Sequence, residues 1–266
     1  MRLDEEYCLS EYVDLGRLGD NEKVHIVRNQ VNGVIGVRKY VALDLEEIYL
    51  FLKENPNAYI PKIYECIQTD TNLIVIEEYL SGKNLEEMLK EKYFSEKDAA
   101  DIIICLCNAL YPLHHAKMPV ICRDLKAENV ILTNEGEVKL VDFDIARIYQ
   151  PGKSKDTVMM GTQGYAAPEQ FGFGQTDART DIYAMGVLLN YMLVREFPME
   201  KLTEGKFRTI VLKCIKINPE DRYQNVDELK ADICNAAEIP CNSMDSDKNK
   251  FYCAQSCNCL LYTSPS

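Results

Sequence analysis

The first eighty residues alternate short runs of β-branched and aromatic residues with polar interruptions. These runs predict strands at residues 12–15, 24–28, 34–41 and 73–79. Asn32-Gly33, between the second and third runs, predicts a hairpin turn. A single helix is predicted at residues 43–53, with Pro56 beyond its end. This part of the chain is therefore expected to be rich in β-structure.

After Gly82 the apolar residues recur at intervals of three and four, which is typical of amphipathic helices. We predict helices at residues 84–92, 96–113, 181–194 and 226–234. A β-rich part joined to a helical part predicts an α+β fold. We assign residues 1–80 to the first part and 81–235 to the second, with a loose polar tail at 236–266.

Composition narrows the classes of function. The chain has 266 residues, 47% hydrophobic and 27% charged, as expected of a globular protein of one large domain. Its net charge of −12 argues against a nucleic-acid-binding surface. Eleven cysteines, an odd number, and an N-terminus unlike a secretory signal favour reduced thiols in the cytoplasm. The longest apolar runs are too short to span a membrane.

The most informative segment is ICRDLKAENV at residues 121–130, followed by Asp142 at the start of DFD. In phosphoryl transfer, few protein groups are needed, but each has a fixed task. Asp124 can accept a hydrogen bond from a substrate hydroxyl, and Lys126 can reach the transferred phosphoryl group. Asn129 and Asp142 supply the oxygen ligands that magnesium prefers. We predict these four residues as the catalytic set.

Three later segments, GTQGYAAPE at 161–169, DIYAMG at 181–186 and NPEDR at 218–222, occur in the order found in one family. Over about residues 10–235 the chain resembles eukaryotic-like serine/threonine protein kinases of the bacterial type. The resemblance implies a bilobal fold, with a small β-rich N-lobe and a larger helical C-lobe. It implies ATP and Mg²⁺, with Mn²⁺ as an alternative. It also implies that Asp181 anchors the catalytic loop and that Arg222 pairs with Glu169.

The resemblance also assigns the residues that contact ATP phosphates. Gly16 and Gly19 stand where a glycine-rich loop belongs, although the full G-x-G-x-x-G pattern is absent. Lys39 is the expected phosphate-contacting lysine, two residues after Val37 at the adenine, with Arg38 as the alternative. Its expected partner is a helix glutamate. The sequence favours Glu47 over Glu46, and periodicity leaves both open.

The adenine itself is expected to meet a hinge at residues 76–80. Backbone groups of Glu78 and Leu80 would contact the adenine edge, and Ile131 would form the floor of the pocket. Glu77 falls at the back of this pocket, where a charged side chain must be paired or solvated. Lys39 is one conceivable partner, which would compete with its contact to phosphate.

Two positions depart from the family pattern. Cys122 replaces the usual His of His-Arg-Asp, and we expect it to pack as a small apolar group, with a redox switch as the alternative. Asp144 replaces the glycine of Asp-Phe-Gly. Aspartate tolerates left-handed backbone better than most residues, so we expect the turn to survive.

The resulting hypothesis is an active kinase that phosphorylates serine and threonine on proteins, since Lys126 and Thr162 resemble those of such kinases. We expect autophosphorylation at Thr157 or Ser154, with Arg123 binding the new phosphate. A pseudokinase that binds nucleotide or acts as a scaffold is the alternative. We expect the tail to be truncated, and a missing C-terminal region could anchor the natural protein in a membrane.

Overall fold

The computed structural model describes residues 3–19, 22–150, 161–172 and 174–240. The first part of the described chain is a five-stranded antiparallel sheet in the order β1-β2-β3-β5-β4. Its elements, in chain order, are α1 (Leu3–Ser10), β1 (Tyr12–Arg17), β2 (Val24–Asn29), β3 (Ile35–Val41), α2 (Glu46–Glu54), β4 (Ile63–Gln68) and β5 (Leu73–Glu78).

The second part is mainly helical and carries short strands around the catalytic-loop segment. Its elements are β6 (Gly82–Asn84), α3 (Leu85–Glu91), α4 (Glu96–His114), β7 (Val120–Ile121), β8 (Val130–Thr133), β9 (Val138–Leu140), β10 (Arg147–Ile148), α5 (Ala178–Val194), α6 (Lys206–Cys214) and α7 (Val226–Ala237). Together the two parts confirm the expected α+β fold.

Capping residues explain where three of these helices begin. Asn84, Ser95 and Asp177 each accept a backbone N–H from the first turn of α3, α4 and α5, respectively. A side chain in the first turn returns a bond to each cap, which satisfies two otherwise unpaired donors. These starts lie within four residues of the predicted ones, and the N-terminal end of α5 precedes the predicted 181.

Helix α5 lies deep in the core of the helical part, and most of its side chains are fully buried. Gly186 allows α6 to pack closely against it, because a Cβ at this position would lie 2.2 Å from the Cβ of Cys214. Asp181 on α5 is completely buried as well. A rigid, buried helix therefore holds a charged side chain beneath the catalytic loop.

Several elements were not predicted from the sequence: α1, β4 and α6. Strand β4 has half-buried polar residues between its buried ones, which weakens the hydrophobic pattern. The predicted helix at 43–53 begins with a 3₁₀ turn at Leu43–Leu45, and the α-helix starts at Glu46.

The seven cysteines in the described part of the chain are all free thiols. No helix among the described residues is long and apolar enough to cross a membrane. Helix α7 extends to Ala237, two residues into the predicted tail at 236–266. The rest of that tail from residue 241 onward and the predicted acceptors Ser154 and Thr157 lie outside the described residues.

Candidate active site

The catalytic loop runs from the end of β7 to the start of β8 and is anchored from below by Asp181 of α5. The carboxylate of Asp181 accepts the backbone N–H of Cys122 at 2.9 Å and that of Arg123 at 2.8 Å. It also lies 2.8 Å from Nε2 of the buried His114. These bonds hold Arg123 in a left-handed conformation (φ 64°), which costs energy for a non-glycine residue.

Asp124, Lys126, Asn129 and Thr162 meet in one hydrogen-bonded cluster. The Thr162 hydroxyl donates to Asp124 Oδ1 at 2.7 Å, and Lys126 Nζ lies 2.8 Å from Asp124 Oδ2. Lys126 also donates to the Thr162 hydroxyl at 3.1 Å. The Asn129 amide donates to the Asp124 backbone carbonyl at 2.9 Å and to Oδ2 at 3.0 Å. The structure thus brings together three of the four predicted catalytic residues.

Asp142, the fourth, opens the DFD turn and adopts φ 68°, whereas the Phe143 side chain is buried in the core. The backbone N–H of Asp144 donates to Asp142 Oδ1 at 3.1 Å. The left-handed residue of this turn is thus Asp142 and not Asp144. The turn is present with Asp144 in the glycine position, and its positive φ occurs at Asp142, two residues earlier.

The Asp144 carboxylate accepts a hydrogen bond at 3.3 Å from the hydroxyl of Tyr49 on α2. Loss of hydration and the neighbouring charge of Asp142 raise the pKa of Asp144 to about 6, with Lys39 and the Tyr49 hydroxyl opposing the change. Asp144 therefore links the helix α2 to the turn that carries Asp142.

Cys122, the first residue of the catalytic loop, is completely buried. Burial and the charge of Asp181 raise the pKa of its thiol well above the ordinary value, and a hydrogen bond with the Asp124 backbone only partly opposes this. A protonated, enclosed thiol is a poor nucleophile. The environment of Cys122 thus supports the packing interpretation over the redox one.

On the nucleotide side, β3 directs alternate residues to opposite faces of the sheet. Lys39 Nζ lies 2.6 Å from Oε1 of Glu77, and only 14% and 8% of the two side chains are exposed. Arg38 instead reaches Asp14, with 2.5 Å between Nη2 and Oδ2. Of the two candidates for the phosphate-contacting lysine position, Lys39 therefore shares the face of Val37, and Arg38 does not.

The expected ion pair between Lys39 and Glu47 is not formed in the structure. Glu47 is exposed, while Leu45, Ile48 and Tyr49 are buried. With about 100° per residue in an α-helix, Glu47 lies about 200° from both Leu45 and Tyr49, on the outer side. The apolar residues therefore decide the orientation of α2 and turn the glutamate away from the site. The alternative, Glu46, is half-buried and likewise has no ion pair with Lys39 in the described structure.

The loop above the site keeps its two glycines in conformations that glycine adopts at little cost. Gly16, with φ 135°, directly follows the register shift in β1 that leaves Leu15 unpaired, and its N–H donates to Asp14 Oδ1 at 2.8 Å. Gly19 has φ 68°. A Cβ at either position would meet no atom within 4 Å, so backbone conformation and not space favours glycine here.

The hinge follows the end of β5. Within the described residues, the backbone N–H of Leu80 has no hydrogen-bond partner, which suits it to receive an adenine nitrogen. The Glu78 side chain turns to the opposite side and accepts from Lys62 N at 3.1 Å and Lys139 Nζ at 3.4 Å. Ile131 on β8 is half-buried, and Val37 is buried. The four predicted adenine-contacting residues therefore remain predictions, with backbone geometry in favour of Leu80.

A buried ion pair supports the segment after the catalytic cluster. Arg222 binds Glu169 through two parallel contacts, Nη1–Oε1 at 2.7 Å and Nη2–Oε2 at 2.9 Å. Both side chains are buried, and the Thr180 hydroxyl donates to the same carboxylate at 2.8 Å. This is the pairing that the resemblance implies. The pair attaches the segment 161–169, which carries Thr162, to the helical core.

Some contributors to the site were not predicted. Gln170 donates from Nε2 to the Arg123 carbonyl at 2.8 Å, and His114 contacts Asp181 as described above. Tyr49 fell within a predicted helix, but its role at Asp144 was not foreseen. The signal available in the sequence was the apolar spacing of residues 45, 48, 49 and 52, which marks the inner face of α2.

The residues present fit a divalent cation. The amide nitrogen of Asn129 donates both of its hydrogen bonds to Asp124, and the side-chain oxygen of Asn129 remains as an acceptor. Asp142 provides a carboxylate, and magnesium favours such hard oxygens together with water. Asn129 and Asp142 are therefore the residues that would hold the metal.

Comparison with known proteins agrees with this arrangement. A profile of the protein kinase domain matches residues 30–258. The probable serine/threonine-protein kinase PknB of Corynebacterium glutamicum is 32% identical over 192 residues, covering 60% of this chain and 29% of that protein. Serine/threonine-protein kinase PknB of Mycobacterium tuberculosis is 28% identical over 272 aligned residues, covering 87% and 43%. The chain thus spans less than half the length of these relatives.

The profile covers most of the chain, and its range includes the catalytic loop, the DFD turn and the Glu169–Arg222 pair. The chain belongs to the protein kinase domain family, and its relatives include bacterial serine/threonine kinases of the PknB type.

Proposed function

We propose that the protein transfers the γ-phosphate of ATP to serine and threonine hydroxyls of proteins. The observation that carries the proposal is the hydrogen bond from the Thr162 hydroxyl to Asp124 Oδ1 at 2.7 Å. Here a threonine side chain already donates to the residue that would orient an attacking hydroxyl. The names of the relatives, which are serine/threonine kinases, support the same substrate class.

In the proposed reaction, a substrate hydroxyl oxygen attacks the γ-phosphorus, and the bond between that phosphorus and the bridging oxygen of ADP breaks. Asp124 orients the hydroxyl and receives its proton. Lys126, held at 2.8 Å from Asp124, lies where it can offset negative charge on the phosphoryl group. The Asn129 amide keeps the Asp124 carboxylate in place.

On the nucleotide side, Gly16 and Gly19 would allow the backbone to approach the phosphates, and Lys39 would contact them. Val37 and Ile131 would enclose the adenine, while backbone groups of Glu78 and Leu80 would bind its edge. When bound by Asn129 and Asp142, a divalent cation, Mg²⁺ or Mn²⁺, neutralises phosphate charge. The family's use of ATP and a divalent metal supports this assignment.

The test is incubation of the purified protein with Mg-ATP and a basic protein substrate, followed by mass spectrometry of phosphorylated residues. We expect phosphoserine and phosphothreonine on the substrate, and autophosphorylation at Thr157 or Ser154. The Asp124→Asn variant serves as the negative control. Equal phosphorylation by both proteins would overturn the proposal. ATP binding without turnover in the unaltered protein would favour the pseudokinase instead.

A further inference from the structure

The nucleotide-side lysine has an unusual partner. In the antiparallel pairing of β3 with β5, Val37 lies directly opposite Glu77, so Val37, Lys39 and Glu77 share one face of the sheet. The distance of 2.6 Å between Lys39 Nζ and Glu77 Oε1 is that of a charge-assisted hydrogen bond. Both residues are on adjacent strands of a rigid sheet, so the contact does not depend on any helix.

The charges around Lys39 also favour Glu77 as its main partner. Burial lowers the pKa of Lys39, but the Glu77 carboxylate, with smaller contributions from Asp142 and Asp144, reverses this and raises the pKa above its ordinary value. Glu77 itself is only 6% exposed, and an unpaired buried carboxylate would be strongly disfavoured. Each charge thus makes burial of the other tolerable.

The helix above the site offers no substitute. The inner face of α2 carries Leu45, Ile48, Tyr49 and Leu52, all buried, whereas Glu47 faces outward. At the point nearest the DFD turn, α2 presents the hydroxyl of Tyr49, which binds Asp144 and not Lys39. The Tyr49–Asp144 contact between α2 and the DFD turn is therefore separate from the Lys39–Glu77 contact within the sheet.

We propose that Glu77, at the back of the adenine pocket, is the positioning residue for Lys39 and takes the place of a helix glutamate. The proposal rests on the proposed function for its catalytic consequence, namely that Lys39 is held by the sheet in reach of the ATP phosphates. It follows that a shift of α2 would leave the Lys39–Glu77 pair intact.

The first experiment measures the reactivity of Lys39 without any turnover. The protein is treated at fixed pH with a small acylating reagent, N-acetoxysuccinimide, and the acetylation rate of each lysine is followed by peptide mass spectrometry. Glu77→Gln keeps the size of the side chain and removes its charge. Loss of the adjacent opposite charge lowers the pKa of Lys39 and leaves more of its amine unprotonated, so Lys39 should react about tenfold faster.

A matched control comes from an exposed pair of the same type. Between α2 and β4, Lys53 Nζ lies 2.9 Å from Glu65 Oε2, with 37% and 30% of the side chains exposed. Because water screens such a pair, Glu65→Gln should change the rate at Lys53 by less than about twofold. Glu47→Gln provides the deciding comparison, since a faster reaction of Lys39 in that variant would assign the pairing to the helix and overturn the proposal.

The second experiment measures kcat and the KM for ATP with the same variants. We expect Glu77→Gln to lower kcat about tenfold, and Glu77→Asp to recover part of the loss. Thermal unfolding monitored by circular dichroism checks that each variant folds. If Glu77→Gln does not fold, Glu77→Met, which replaces the charge by an apolar side chain of similar size, takes its place in both experiments.

The two experiments separate the failure of this inference from failure of the proposed function. An inactive protein with faster acetylation of Lys39 in Glu77→Gln would sink the kinase proposal and keep the pairing. An active protein whose Lys39 reacts equally fast with and without Glu77 would overturn the inference alone.

Discussion

The catalytic loop and the nucleotide-side face of the sheet differ in whether their side chains have the partners that the resemblance implies. Asp124, Lys126, Asn129 and Thr162 form one hydrogen-bonded cluster, and Asp181 anchors the loop in the way that the resemblance implies. Around Lys39, the expected helix partner is turned outward, and Glu77 of the neighbouring strand stands in its place. The first region keeps its buried anchor although Cys122 replaces the usual histidine, whereas the second keeps the lysine and has a different carboxylate beside it.

The difference follows from how each region is built. The buried carboxylate of Asp181 accepts the backbone hydrogen bonds that hold the catalytic loop, so few substitutions of Asp181 would preserve the conformation of the loop. The lysine needs only a carboxylate within hydrogen-bond distance, and a strand or a helix can supply it. A site whose chemistry requires several atoms at fixed positions, as in the catalytic loop, tolerates few changes in sequence. Where the chemistry fixes only one charge, the position of that charge can change.

The largest expected effect comes from the catalytic loop. Asp124→Asn keeps the shape of the side chain but cannot accept the hydroxyl proton, so we expect kcat to fall by about 10²–10⁴-fold. Steady-state kinetics with a serine- or threonine-containing protein substrate checks this. Asp70→Asn, at an exposed position in the turn between β4 and β5, should behave like the unaltered protein. A fall of less than twofold in Asp124→Asn would show that the loop does not perform the chemistry.

The buried Glu169–Arg222 ion pair, which supports the segment after the catalytic cluster, should be almost as sensitive to substitution. Arg222→Ala leaves Glu169 buried without its bidentate partner, so we expect the free energy of unfolding to fall by about 3–5 kcal/mol. Urea denaturation followed by circular dichroism measures it. Glu220→Ala removes the exposed partner of Arg179, 71% exposed, and should cost less than about 1 kcal/mol. Similar losses in both variants would mean that the buried pair has no special role.

A smaller effect is expected where α2 meets the DFD turn. Tyr49→Phe removes the hydroxyl that donates to Asp144, a net loss of about 1 kcal/mol in stability. Because Lys39 does not bind α2, its acetylation rate should stay the same in this variant. Tyr7→Phe, at an exposed position of α1, is the control. A clear rise in the reactivity of Lys39 in Tyr49→Phe would show that helix and lysine are coupled after all.

The smallest effect is expected at Cys122. Its pKa is raised by burial, so at pH 8 even less of the thiol is ionised than in a free cysteine. Iodoacetamide should therefore label Cys122 in the native protein far more slowly than in urea. Cys8, half-buried near the surface, provides the internal comparison. Rapid native labelling of Cys122 would revive the interpretation of this residue as a redox switch.

The sequence predicted the α+β fold and the residues of the catalytic cluster because each depends on short, local patterns. Alternating strands, helix periodicity and the spacing within residues 121–130 are all visible along the chain. The orientation of α2 was not predicted: its apolar spacing marks an inner face, but the neighbours against which Leu45 and Tyr49 pack are distant in sequence. For a similar reason the sequence did not predict that the positive φ of the DFD turn occurs at Asp142 and not at Asp144.

The Lys39–Glu77 pair was predicted only in part from the sequence. The sequence placed a charged residue at the back of the adenine pocket and suggested Lys39 as a partner, but it also suggested Glu47. Only the cross-strand register of β3 and β5, together with the outward face of Glu47, decides which carboxylate is near.

The most direct test of the contrast between the two regions is kcat at saturating Mg-ATP for Glu77→Gln, beside Glu65→Gln and Asp124→Asn. If the sheet positions the lysine, Glu77→Gln should lose about tenfold, since a loss of about 1.4 kcal/mol in transition-state stabilisation corresponds to that factor. Glu65→Gln should keep its rate, and Asp124→Asn should lose far more. A Glu77→Gln enzyme as fast as Glu65→Gln would contradict the account.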